Sequence, residues 1–216
     1  QQVSSTIESW GAARTIGRIW SRDASLWTGA DEHQWLGWLD APESASAGMA
    51  QLLEFADAVR ARQFAHVLLL GMGGSSLAPE VLANVLPTST NAPQLTILDS
   101  THPDQIRAIE GRLDLRRTLV IAASKSGSTL ETKMLGDYFF WRLTELLGAN
   151  EAGRHFVAIT DPGSQLEATA AQSGYWRVFH GEPTIGGRFS ALSPFGLVPS
   201  AAAGHDVARF VRAAQA

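Results

Sequence analysis

The chain has 216 residues, a formal net charge of −4 at pH 7, 45% hydrophobic and 18% charged residues, and no cysteine. An acidic balance with no basic face argues against a nucleic-acid partner, and the absence of thiols excludes disulfides and thiolate metal sites. No apolar run is long enough to span a bilayer, and Gln1-Gln2-Val3-Ser4-Ser5 lacks the basic and apolar segments of a secretion signal, so a cytoplasmic protein away from membranes is expected.

Residues 1–63 read as a helical lead-in, and five of the seven tryptophans fall there: Trp10, Trp20, Trp27, Trp35 and Trp38. Their expected role is to pack the lead-in onto the main domain; the alternative is that some cover a surface buried by further chain. Asp31 is the predicted N-cap of a short helix holding Trp35 and Trp38. Pro42 then separates it from a longer helix, whose Met49, Leu52, Leu53, Phe55, Ala56 and Val59 recur at helical spacing.

Residues 64–216 form the predicted main domain. Strands are expected at 66–71, 95–99, 118–123, 155–160 and 176–179, alternating with helices at 77–86, 103–111, 129–147 and 164–173. This alternation predicts an α/β fold, a three-layer α/β/α sandwich around a five-stranded parallel sheet. Right-handed crossovers bring the carboxyl ends of the strands to one edge, where ligands bind at a switch point. A loop over 180–184 leads into Ile185–Ser190. A helix through Leu197 and Val198 to Ala203 follows, stopped by Gly204, and a last helix runs from Val207 to Ala216.

Three junctions carry the chemistry. Ser124-Lys125-Ser126-Gly127-Ser128-Thr129 leaves the apolar run Leu119–Ala123 and opens a helix. Backbone N–H groups at that helix N-terminus, with the alcohols of Ser124, Ser126, Ser128 and Thr129, suit an anion. Lys125 adds charge, and Thr132 can face the same way one turn later. The alternative is a serine-rich cap with no ligand. Lys125 is one of only two lysines, against 15 arginines.

An earlier junction repeats the design, as His66–Leu70 runs into Gly71-Met72-Gly73-Gly74-Ser75-Ser76, whose glycines allow close approach of a ligand. Two such turns on neighbouring strands would face one crevice, which favours a phosphorylated small molecule. A nicotinamide-dinucleotide site is the lesser reading: the sixth position is Ser76, and the would-be ribose acid Asp99 follows Gly73 by 26 positions. Asp99 is better read as a strand-end residue bonded to Ser100-Thr101. In the third junction, Gly186-Gly187-Arg188-Phe189-Ser190, the glycines let backbone approach a ligand. Arg188 then holds a phosphate, stabilises a developing oxyanion, or forms a structural salt bridge. No histidine shows metal-ligand spacing, no metal or cofactor is expected, and Glu131 reads as solvated or structural rather than as a base.

Together these junctions resemble the phosphoglucose isomerases, members of the sugar-isomerase (SIS) domain superfamily, over about residues 65–204. The matching pieces are Gly71–Ser75, Ser124–Thr132 and Gly186–Ser193, the last narrowing the likeness to the isomerases. The resemblance implies that Ser124, Lys125, Ser126, Thr129 and Thr132 hold a sugar phosphate, with Gly74, Ser75 and Gly187 at the substrate. Arg188 would stabilise the enediolate between glucose 6-phosphate and fructose 6-phosphate, with no cofactor. The glutamate base, ring-opening histidine and further lysine of that family would come from a second SIS domain and a C-terminal part beyond Ala216. The stretch Arg18–Gly29 resembles the join in bifunctional transaldolase/phosphoglucose isomerase chains. The expectation is therefore a fragment inactive alone, able to form a homodimer, with an apolar patch where the missing half docks. A SIS-type phosphosugar-sensing domain without catalysis is the alternative from another class.

Overall fold

A computed structural model describes residues 2–216. The lead-in comprises helices α1 (Gln2–Ala12), α2 (Thr15–Trp20), α3 (Ala41–Ala47) and α4 (Met49–Ala61). The sheet-forming part follows as β1 (His66–Gly71), α5 (Leu77–Val85), β2 (Gln94–Leu98), α6 (Pro103–Glu110), β3 (Thr118–Ala123) and α7 (Leu130–Leu147). It continues through α8 (Ala149–Ala152), β4 (Phe156–Thr160), α9 (Gln165–Gln172), β5 (Arg177–His180), α10 (Pro194–Ala202) and α11 (Val207–Gln215).

All neighbouring strands pair in parallel, in the order β2-β1-β3-β4-β5. Strands β1 and β3, which feed the two hydroxyl-rich turns, lie side by side with Gly71 opposite Ala123. The chain leaves β1 toward β2 on one side and returns to β3 on the other. This reversal opens a crevice at the strand carboxyl ends.

Period-two alternation along the strands builds two cores. Val67 and Leu69 of β1, with Leu119 and Ile121 of β3, face α4, α10 and α11; Leu68, Leu70 and Val120 face α6 and α7. Strands buried on both sides read as the nearly continuous apolar runs that parallel sheets require. Helix α4 contributes Leu52, Phe55, Ala56 and Val59, all buried at i, i+3, i+4, i+7 spacing, so the end of the lead-in belongs to the first core. The predicted strands and main helices from residue 66 to Gln172 start and stop within one residue of those observed.

The lead-in differs from expectation between Asp31 and Gly48. In place of one short helix there are two 3₁₀ turns, Glu32–Trp35 and Gly37–Asp40. Asp31 caps neither with its side chain; its carboxylate instead accepts the indole N–H of Trp35 at 3.0 Å. Pro42 does not separate helices but opens α3, where its missing N–H costs nothing, and Gly48 makes the break before α4. Trp10, Trp20 and Trp27 are exposed; Trp35 is exposed in part but reaches Lys125 of the main domain, and Trp38 is half-buried against Phe189. A further apolar row lies open on α5, where Leu77, Val81 and Val85 follow at four-residue intervals.

Candidate functional site

A cavity of about 470 Å³ lies at the carboxyl ends of β1, β3 and β4. Gly74 and Ser75 of the first turn, Lys125, Ser126 and Thr129 of the second, and Gly187 and Ser190 of the third all line it. The three junctions, far apart in the chain, are thus brought together. Asp161, at the end of β4, and Glu182 add two carboxylates, while Trp35 comes from the lead-in.

Close backbone approach explains the glycines here. A Cβ on Gly74 would lie 2.5 Å from the carbonyl oxygen of Gly187, so the first and third turns touch main chain to main chain. The buried Ser190 hydroxyl holds that contact, lying 2.8 Å from Gly74 O and 2.7 Å from Gly187 O. We expect Gly74→Ala to force these turns apart and to destabilise the fold by about 1–3 kcal/mol, the usual range for overpacking. Thermal unfolding measures it; an unchanged melting temperature would show that the turns yield freely.

The second turn is built by alcohols bonding to one another. Ser124 Oγ lies 2.9 Å from Thr129 Oγ1, and Ser126 Oγ lies 2.9 Å from Ser128 Oγ. Gly127 bends the turn at φ 68°, a left-handed angle that favours glycine, and its missing Cβ leaves room for Ser164. Thr129 occupies the N-cap of the 18-residue helix α7 but bonds none of its first-turn N–H groups through its side chain. The partial positive charge at that end is therefore not quenched by a cap.

Some expected site residues sit elsewhere. Ser124 and Thr132 do not line the main cavity. They line a smaller recess of about 30 Å³ on the far side of Thr129, which borders both spaces. The Thr132 hydroxyl is buried there without a hydrogen-bond partner among the described residues. The charge expected from Lys125 is already spent: its ammonium pairs with Asp161 and donates to the carbonyl of Pro183 at 3.1 Å. The lining side chains then carry one cation against two carboxylates, so an anion must be held by neutral donors. Arg188 is exposed on the third turn beside Gly187 and outside the cavity lining. It makes no ion pair among the described residues, so the structural salt bridge is not what the fold uses it for.

The remaining candidates have structural partners or none. His180 Nε2 lies 2.6 Å from Glu167 Oε1, and the Gly163 N–H together with His180 holds that carboxyl below its usual range. His155 bonds Thr118 O at 3.0 Å, and burial pushes its pKa down. Asp99 is exposed and makes none of the expected bonds to Ser100-Thr101; Ser100 Oγ instead accepts the His102 N–H. Glu131 is exposed on α7 outside the cavity. Sequence reasoning did not find Asp161, Glu182 or Trp35 as cavity residues. Asp161 alone left a signal there, an acid directly after the strand Phe156–Thr160.

A doubly wound parallel sheet with glycine- and hydroxyl-rich turns meeting over one cavity defines an α/β domain with a small-ligand-sized cavity at its switch point. The phosphoglucose isomerase family model matches residues 46–216, and the chain belongs to that family. It is 34% identical over 207 residues to a glucose-6-phosphate isomerase of Citrifermentans bemidjiense, covering 86% of this chain and 39% of that protein. Against the glucose-6-phosphate isomerase of Thermus thermophilus the identity is 37% over 174 residues, covering 80% and 40% respectively. The crystal structure of a hypothetical protein from Thermus thermophilus superimposes with a TM-score of 0.84 at 32% identity, over 98% of this chain and 49% of that one. A glucose-6-phosphate isomerase structure from Chlamydia trachomatis gives 0.63 at 32% identity, over 74% and 30%. The chain thus spans about two fifths of the length of the curated relatives it matches.

Proposed function

We propose that the cavity binds the phosphate and sugar of glucose 6-phosphate and fructose 6-phosphate, as one part of an aldose–ketose isomerase site. The carrying observation is that Ser126 and Thr129, on an uncapped helix N-terminus, share one cavity with Gly74, Ser75 and Gly187. Ser126 and Thr129 donate their hydroxyls to phosphate oxygens beside the N-terminal dipole of α7. Ser124 supports this set from the neighbouring recess through its bond to Thr129, while Thr132 stays in that recess and Lys125 is held by Asp161.

In the reaction, a base moves a proton between C2 and C1 of the open-chain sugar, and charge grows on the enediolate oxygens only during that transfer. Arg188 is the group for that charge: a guanidinium without an ion pair among the described residues, on a turn that borders the cavity. The base, the ring-opening histidine and a further lysine come from the rest of a longer chain, so this segment alone turns over negligibly. The exposed row on α5 suits the docking of that remainder. The preceding chain as a transaldolase, a homodimer and a cytoplasmic setting complete the proposal; the mass and hydrodynamic size of the intact protein test the first two.

Ser126→Ala should weaken fructose 6-phosphate binding by about 1–2 kcal/mol, the worth of one hydrogen bond to a charged group. Titration calorimetry reads it, and equal affinity in wild type and variant would remove the phosphate from this turn. The sensing alternative is favoured by one observation, that Arg188 stands outside the cavity lining. Full-length protein that binds fructose 6-phosphate and never isomerises it would establish that reading.

A further inference from the structure

The lead-in does more than precede the domain: its segment from Asp31 to Asp40 is fastened across the third turn. The Gly37 N–H donates to Thr184 O at 3.1 Å, and Leu36 pairs with Ile185 in an antiparallel bridge, both side chains being buried. Gly37 suits this close contact, since a Cβ would lie 2.1 Å from Thr184 Oγ1 and 3.0 Å from Thr184 Cβ and would push the two segments apart or turn the threonine. Trp38 stacks on Phe189 with ring centroids 5.6 Å apart. Two elements so joined form a firm base for the residue just before them, Trp35.

Trp35 is not used to pack the core. It is 40% exposed, lines the cavity, and its ring lies 5.9 Å from the Lys125 ammonium. Its single side-chain donor, the indole N–H, is taken by Asp31 at 3.0 Å. What remains to face a ligand is the ring itself.

We propose that Trp35 is the sugar-side wall of the cavity, packing its ring face on the C–H surface of a bound hexose phosphate. This rests on the phosphate reading above and deepens it. The negative face of an aromatic ring disfavours a phosphate dianion and accepts the weakly positive hydrogens of a sugar ring or chain. With no side-chain donor left, Trp35 cannot bond phosphate oxygens through its indole. The phosphate therefore goes to the alcohols of Ser126 and Thr129, and the carbon skeleton to Trp35. Asp31 is a positioning residue that sets the indole by its hydrogen bond.

The test compares fructose 6-phosphate with inorganic phosphate by titration calorimetry on the full-length protein. Trp35→Ala should bind the sugar phosphate about tenfold more weakly and inorganic phosphate within about twofold of wild type, as expected for one lost aromatic contact. Trp35→Phe should restore most of the loss, and Asp31→Ala should lie between, with the phosphate affinity again unchanged. If alanine unfolds the lead-in, Trp35→Leu keeps the bulk without the aromatic face and should reproduce the selective loss.

Equal sugar-phosphate affinity in wild type and Trp35→Ala, with both binding phosphate, overturns the wall while leaving the phosphate site intact. Parallel loss of both ligands, unrestored by phenylalanine, also overturns it and makes Trp35 structural. A wild-type protein that binds neither ligand defeats the phosphate reading itself, and the wall with it.

Discussion

Arg188→Ala in the full-length protein is expected to lower kcat for glucose 6-phosphate isomerisation by roughly 10²–10³-fold, the loss typical of one preorganised oxyanion donor. KM should change little, because the charge it serves is absent from the bound substrate and appears only on the enediolate. One structural fact supports this division: Arg188 makes no ion pair among the described residues, so its removal leaves no carboxylate stranded. Steady-state kinetics separate the outcomes. A raised KM with an unchanged kcat would make Arg188 an ordinary substrate-binding group. No change in either would leave the third turn with a purely structural role.

The second large effect concerns stability. Phe55→Ala should cost about 3–5 kcal/mol, the range for truncating a fully buried aromatic residue. Phe55 is fully buried, sits 4.9 Å edge-on from Phe179 and 5.4 Å from Trp176, and joins α4 to β5 in the first core. Urea unfolding of wild type and variant measures the difference. A loss under about 1 kcal/mol would mean that the surrounding side chains collapse into the space and that α4 is only loosely joined to the sheet. Because Phe179 leads through His180 into the loop carrying Glu182, the variant also tests how firmly the cavity rim depends on α4.

The legible parts of this protein are those governed by local rules. Runs such as His66–Gly71 and Thr118–Ala123 are apolar on both faces because a parallel sheet covered by helices leaves no wet side. Their ends could be read to within one residue. The turn at Ser124–Thr129 was legible as a hydroxyl-rich strand-to-helix junction, and its place beside Gly74 followed from strand order. The Asp31–Gly48 stretch departs from the expected single helix because 3₁₀ turns lack a strong periodicity and because Asp31 spends its carboxylate on the Trp35 indole rather than on a cap. The pairing of Lys125 is hidden from local pattern for a similar reason: its partner Asp161 lies 36 positions away, just past the end of the neighbouring strand β4.

By itself the amino-acid sequence determined the α/β class, the five strands, the helix that follows each hydroxyl-rich turn, and the alcohols that such a turn can offer to an anion. These rest on periodicity, turn chemistry and capping, which act over a few residues. Tertiary structure alone decided that Asp161 neutralises Lys125, that Thr132 turns into a separate recess, that Arg188 stands at the rim, and that Trp35 reaches the cavity. Each of those depends on segments far apart in the chain meeting at side-chain distance, and which partners meet is settled by how strands and helices pack, not by any pattern that neighbouring residues carry.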